Sequence, residues 1–322
     1  MIDMRRSVVL LAAATTLLAG CSAGQGPAGA AAVIGDHVIT VDEVQGRFDA
    51  VLRTNDPAIA QLEQQHKLDQ VSREILRQEV LHQLTVHAAA REGITVQEDE
   101  VTEQVAAQAA ARDASRDPQG QTGQDPIRAL VADTADPRTL ARDTLTRAEL
   151  ARRQAGRFAL TFDAVIVQTP QRARELARQI AAQPEKSGEI IRAEGASQRE
   201  SALNFRVGNT TQQEIGTAMF LYAQNPSVFM ISPGADQEST GYRVIYVKTR
   251  TAAPAPDQRV IAQFETEDLA QLGEFVLRDQ VAIDGLKLSP RYGTWDLIQM
   301  LPAPSQEASA TSEVLPVSSP AP

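Results

Sequence analysis

The stretch Val33-Ile34-Gly35-Asp36-His37-Val38-Ile39-Thr40-Val41-Asp42-Glu43-Val44, "VIGDHVITVDEV", carries three local signals in close succession. β-Branched runs flank Gly35-Asp36, which predicts two short strands about a tight turn. Thr40 followed three positions later by Glu43 is a capping box: the hydroxyl accepts from the backbone at N3 and the carboxylate reaches back to the cap. A helix through about Leu52 follows from it.

Toward the C-terminus the helical signal strengthens. Leu68, Val71, Ile75, Leu76, Val80, Leu81, Leu84 and Ala88 recur at three-and-four spacing and end before Gly93, the pattern of one long amphipathic helix. Its stripe, Leu68, Val71, Ile75, Val80 and Leu84, is a candidate apolar surface for gripping another chain. Thr95-Val96-Gln97-Glu98 repeats the capping signal and opens a helix to about Arg112. The Gly, Gln and Pro cluster 117–126 reads as a loop, and Pro137 to about Gly156 as a further helix with Leu140, Leu145, Ala148 and Ala151 inward.

At Leu160 the period changes. Phe162-Asp163-Ala164-Val165-Ile166-Val167 is strand-like, and Thr169-Pro170 caps a helix to about Ala182. A strand near 203–207, a helix near 213–223 and strands at 228–231 and 242–248 complete a small α+β unit, bounded by the linker 251–258. Leu269 to about Gln280 is again helical. From 301 to 322 the chain is Pro, Ser, Ala and Glu, a composition that predicts a disordered tail.

Toward the N-terminus, residues 21–32 are Gly, Ala and Pro without periodicity and read as a flexible tether. Before them, Arg5 and Arg6, an apolar run and a small-residue site form a secretory signal over residues 1–20. The run is too short to span a bilayer, which takes about 20 apolar residues. It ends in Leu18-Ala19-Gly20-Cys21, and Cys21 is the single cysteine of the chain. One thiol excludes an internal disulfide and a Cys-based zinc cluster, leaving a buried thiol, a nucleophile or an attachment point. The four residues resemble a bacterial lipobox, which implies a cysteine bearing acyl chains such as palmitate. Each buried CH₂ is worth about 0.8 kcal/mol, so two chains anchor stably where one does not. A chance cysteine at an ordinary cleavage site is the alternative.

The chain carries a formal charge of −10, which argues against nucleic acid and against electrostatic adhesion to anionic lipid. No Gly-rich phosphate loop follows a strand and no Gly-x-Ser-x-Gly elbow occurs, so no cofactor is expected. His82 and His87 lie about 140° apart around a helix, which disfavours a metal pair, and both read as exposed or half-buried. Glu98, Asp99 and Glu100 read as a solvated first turn favoured by the helix dipole. Trp295, beside Tyr292, reads as a packing anchor.

The order lipobox, tether, "VIGDHVITVDEV", long helix, "GITVQEDEV", with "LSPRYGTWD" at 288–296, resembles the SurA/PrsA type of exported chaperone, in particular lipoproteins with a SurA-like N-terminal domain. The resemblance implies an α+β fold: a mainly helical composite body from 33–160 and 259–300, with a parvulin-like domain inserted at 161–250. The parvulin likeness rests on "FDAVIV", on Phe205 with Gly208, on Ala218-Met219-Phe220, and on Gly241-Tyr242-Arg243-Val244-Ile245. Where that family's pattern expects a catalytic histidine pair, Ala164 and Arg243 stand. All four histidines, His37, His66, His82 and His87, lie outside 161–250, so no shift of register restores the pair. Ala164, Phe205, Met219, Phe220 and Arg243 are thus expected to line a degenerate pocket. Met219 and Phe220 are equally readable as core.

Three functions are compatible with these residues. The first is a lipid-anchored, extracytoplasmic binding module for unfolded or exported polypeptides. The others are an isomerase with a departed active site, and an envelope adaptor with one dedicated partner.

Overall fold

The computed structural model describes residues 27–115, 125–155, 158–194, 212–221, 227–231, 241–252, 258–304 and 312–317. It is an α+β protein, mainly helical. β1 (Ala30–Ile34) and β2 (His37–Thr40) form the expected hairpin, with Val33 opposite Val38 and Ile34 opposite His37. Gly35 adopts φ +59°, the left-handed conformation that a two-residue hairpin turn demands of its first turn residue. Strand β1 begins inside the segment read as tether. Ala31 and Ala32 are fully buried, because small side chains let the strand lie close against the helices.

Thr40 caps α1 (Val41–Arg53) with both halves of the capping box present. The backbone N–H of Thr40 donates to Glu43 Oε2 at 2.6 Å, and that bond, with the hydroxyl's, holds the Glu43 carboxyl below its ordinary pKa. α2 (Pro57–Gln64) follows, and α3 (Leu68–Glu92) ends where Gly93 turns left-handed at φ +60°. α4 (Glu98–Ser115) is capped two residues later than expected: Glu100, rather than Glu98, accepts the Gln97 N–H. α5 (Pro126–Asp133) and α6 (Pro137–Gln154) complete the first part, each opened by an Asp cap and a Pro in the first turn.

β3 (Phe158–Val167), α7 (Pro170–Ala182), α8 (Ser187–Ala193), α9 (Gln212–Phe220), β4 (Ser227–Ile231) and β5 (Tyr242–Ala252) come next. They are followed by α10 (Gln258–Ile261), α11 (Thr266–Asp284), β6 (Leu286–Leu288), β7 (Thr294–Asp296), β8 (Leu301–Ala303) and β9 (Glu313–Pro316). β5 runs into the segment read as linker. The strand expected near 203–207 falls outside the described residues.

The C-terminal elements return to the N-terminal ones. β6 pairs antiparallel with β1, Ser289 N–H donates to Ala31 C=O at 2.8 Å, and Tyr292, Trp295 and Met300 pack into the core built on α3. Trp295 is therefore packed where the returning segment meets the helices, as its reading anticipated. Gly293, at φ +91°, is required twice over: a Cβ there would stand 1.9 Å from the Ala303 carbonyl oxygen across the β7–β8 pair.

The larger sheet runs β3-β5-β4-β9, with every pair antiparallel. α7 and α8 cover one face through Ala173, Leu176, Ile180 and Ile191. β9 and β8 lie in the stretch read as a disordered tail, which is a correction for both segments. Composition averaged over 301–322 hides the short run Val314-Leu315-Pro316-Val317, whose alternating side chains reach both faces of the sheet.

Candidate functional site

The face of the larger sheet turned away from α7 and α8 is where a parvulin-like pocket would lie. The register places Ala164, Ile245, Phe229 and Val314 in one row across four strands, and Ile166, Arg243 and Ile231 in the next. Ala164 and Arg243 thus share a face on neighbouring strands, one row apart. This is the juxtaposition the resemblance implies, but with residues that carry no exchangeable proton near neutral pH. Leu160, Phe162 and Val247 continue it as an apolar surface, with Ser227 opposite Val247. Asp163 and Lys248 point the other way. Asp163 is buried on the α8 side, 2.6 Å from Lys248 Nζ and 3.4 Å from Ser187 Oγ.

The chain itself roofs this face. Phe220 and Leu221, at the end of α9, and Ile298, from the segment after β7, pack onto it. Arg278 of α11 fastens the roof, its guanidinium donating to the carbonyl oxygens of Phe220 and Ile298 and lying 4.8 Å over the Phe220 ring and 4.6 Å over Phe275. Burial pulls the Arg278 pKa down to about 10, against Asp296, Asp279 and Glu274, so the side chain stays cationic at neutral pH. Asp296 answers it from within the same knot, accepting the N–H groups of Ile298, Gln299 and Ser312 at 2.9 Å each.

The five residues read as one pocket are therefore divided. Ala164 and Phe220 meet at the roofed face, with Arg243 at its edge. Met219 is buried on the opposite side of α9 among Ile215, Ala148, Ala151 and Leu269, which corrects its pocket assignment in favour of the core reading. A helix turns about 100° per residue, so consecutive side chains cannot share one wall. Phe205, Cys21, Leu18, Ala19 and Gly20 lie outside the described residues.

The α3 stripe is also corrected as a surface. Val71, Ile75, Val80 and Leu84 are between 0% and 1% exposed, enclosed with Ile34, Val44, Val51 and Val131, and Leu68 packs at their margin. Helix α3 has neighbours on several sides at once, so its apolar stripe is filled from within the chain.

Three polar ties between helices were not legible in the sequence. Arg77, buried on α3, donates to Met300 C=O at 3.0 Å, Glu74 at 3.1 Å and Glu274 of α11 at 2.7 Å. Burial works against the Glu274 charge, yet Arg77, then Arg147 and Arg128, outweigh it and hold its carboxyl below the ordinary value. Glu74 goes the other way: burial exceeds the help of Arg77 and raises it. His82 and His87 are half-buried, as expected, but each is tied to a different element: His82 Nδ1 lies 2.9 Å from Asp143 of α6, and His87 Nδ1 lies 2.7 Å from Asp284 at the end of α11. Their five-residue spacing, unsuited to a metal, points them at two separate acids.

The hydrogen bond to Asp143 lifts the His82 imidazole above its ordinary pKa, against burial, with the Asp143 and Glu79 charges helping and Arg147 opposing. The folded state thus holds the proton more tightly than the unfolded chain. Stabilisation is full below the unfolded value of about 6.5 and is lost as pH rises through the folded value. Parent and His82→Gln proteins should differ most in urea midpoint near pH 6, and the gap should shrink toward pH 9. A gap independent of pH would show that the imidazole acts through packing alone.

With this geometry in hand, the comparisons with known proteins are specific for one part. Residues 5–119 match the family described as the SurA-like N-terminal domain. Among solved structures, the chain resembles the peptidylprolyl isomerase PrsA of Bacillus anthracis at 12% identity, over 66% of this chain and 99% of that one, with a TM-score of 0.22. It resembles the foldase protein PrsA of Streptococcus pneumoniae at 12% identity, over 85% and 97%, with a TM-score of 0.25. The foldase protein PrsA of Lactococcus lactis gives 12%, 81% and 94%, again at 0.25. No curated protein matches the chain. Among the described residues, no helix is long and apolar enough to cross a membrane.

Proposed function

We propose that this chain is an extracytoplasmic chaperone-like module that holds unfolded or partly folded exported polypeptides, anchored to a membrane by acyl chains on Cys21 and without isomerase catalysis. The observation that carries the reading is the SurA-like N-terminal domain over residues 5–119. Two others support it. The signal-like run and Leu18-Ala19-Gly20-Cys21 stand ahead of the hairpin and helices, within the matched stretch. The sheet face at Ala164 and Arg243 carries no histidine among the described residues and is roofed by Phe220, Leu221 and Ile298. Prolyl isomerisation has a barrier of about 20 kcal/mol, and an apolar wall alone does not favour the twisted state.

The test uses purified mature protein in two assays run side by side. Aggregation of a chemically unfolded client should slow at near-equimolar chaperone, while relaxation of a cis-prolyl peptide should keep its uncatalysed rate, tens of seconds at room temperature. Unchanged aggregation would remove the reading. Acceleration of the peptide would replace it by an isomerase, and capture of one stoichiometric protein in place of many unfolded clients by an adaptor. In cells, Cys21→Ser should move the protein from the membrane to the soluble fraction.

A further inference from the structure

With the α3 stripe enclosed, a client needs another place to bind. β4 is a strand with a buried interior: Ser227, Val228, Phe229 and Met230 are 0–4% exposed. Its far side is covered by β9 alone among the sheet's strands. An edge strand of this apolar character, left bare, is a template for any extended chain.

We propose that the β4 edge is a receptor for extended polypeptide, and that β9 is the chain's own occupant of that site. This deepens the chaperone reading and rests on it for the identity of the ligand, a client segment in β conformation. The register defines what such a segment presents. Glu313 lies opposite Met230 and pairs with Arg174 of α7 at 2.8 Å. Val314, opposite Phe229, reaches the roofed face, and Leu315, opposite Val228, reaches the α7 face. Backbone pairing supplies affinity without regard to sequence, and alternate side chains supply preference, the logic of strand addition.

The last position shows that β9 is an imperfect occupant. Pro316 lies opposite Ser227, and Ser227 Oγ is buried without a hydrogen-bond partner among the described residues. Proline brings neither a backbone N–H nor a polar side chain to that end of the ladder. A segment with a hydroxyl there would satisfy an atom that the tail leaves unsatisfied, and an unmet buried polar group is costly. The preferred ligand is therefore acidic, apolar, apolar and hydroxylated in order, and it competes with a tethered strand present at an effective concentration of about millimolar.

The test uses the full chain and synthetic hexapeptides of sequence 312–317, labelled for fluorescence anisotropy. Val314→Asp with Leu315→Asp in the chain should loosen β9 and tighten binding of the peptide at least about ten-fold relative to the parent chain. The peptide carrying Pro316→Ser should bind more tightly still. Hydrogen exchange at Ser227–Ile231 should speed up in the variant and slow again with peptide. A second chain, Arg174→Glu, keeps β9 apolar and should prefer a peptide carrying Glu313→Arg over the unaltered one, so the site is testable even if the aspartate variant fails to fold. A folded aspartate variant that binds no peptide, or that instead dimerises through β4, overturns the proposal. So does an Arg174→Glu chain indifferent to the peptide's charge. Peptide binding is read without any client, so a positive result with unchanged client aggregation would sink the chaperone reading and leave the strand receptor standing.

Discussion

Gly273→Ala is expected to destabilise the protein by about 1–3 kcal/mol or more, although alanine favours a helix over glycine by about 1 kcal/mol. The reason lies across the interface. A Cβ at Gly273 would stand 2.1 Å from the Arg147 carbonyl oxygen and 2.7 Å from its carbonyl carbon, where α11 crosses α6. Those are backbone atoms of a helix, with no flexible side chain to swing aside, so the two helices must separate. Separation would loosen the buried layer of Ala148, Ala151, Leu269 and Val276 along the same crossing. Gly46 supplies the contrast: it is exposed inside α1, and a Cβ there meets nothing within 4 Å. Gly46→Ala should therefore stabilise by about 0.5–1 kcal/mol. Urea unfolding of both variants checks the pair, and shifts of the same sign would contradict the close approach of α6 and α11.

Arg77→Met is expected to cost about 3–5 kcal/mol, the range for removing one partner of a buried ion pair. Arg77 is 6% exposed and serves α3, α11 and the Met300 carbonyl at once. Without it, Glu274 keeps Arg147 at 3.7 Å, too far for a good hydrogen bond, and Glu74 loses its nearest cation. Methionine fills much of the volume, so the loss measures unpaired charge more than a cavity. Adding Glu274→Gln should then recover part of the loss, because the two residues touch and their effects are not additive. A double variant as unstable as the sum of the singles would show that the pair is not coupled.

Both predictions rest on contacts between segments far apart in the chain, and that separation marks the boundary of what the residues disclosed. The hairpin at Gly35, the capping box at Thr40 and Glu43, and the stop at Gly93 were legible because each depends on a residue and its neighbours within a turn. The α3 periodicity was legible too, and it correctly marked a face to be covered. What covers it was not. The stripe read as a surface became the centre of a core once β1, α1, α5 and the returning C-terminal segment closed on it. Met219 and Phe220 stood together as pocket candidates, yet adjacent positions on a helix face different bodies. The expectation of disorder failed at 313–316 because a few alternating apolar residues suffice for a strand when an edge already waits for them.

By itself, then, the sequence determined several local conformations: where α1, α3, α6 and α7 start and stop, which turns take glycine, which strands alternate, and that no histidine stands in the 161–250 region. These follow from backbone sterics and from hydrogen bonds a few residues long. Only the tertiary structure decided that Gly273 is a contact point, that His82 and His87 serve two different acids, that Arg278 roofs the sheet, and that β9 fills the β4 edge. Each of those depends on burial, which strengthens a charge pair and penalises an unmet polar atom only after distant segments have excluded the water between them.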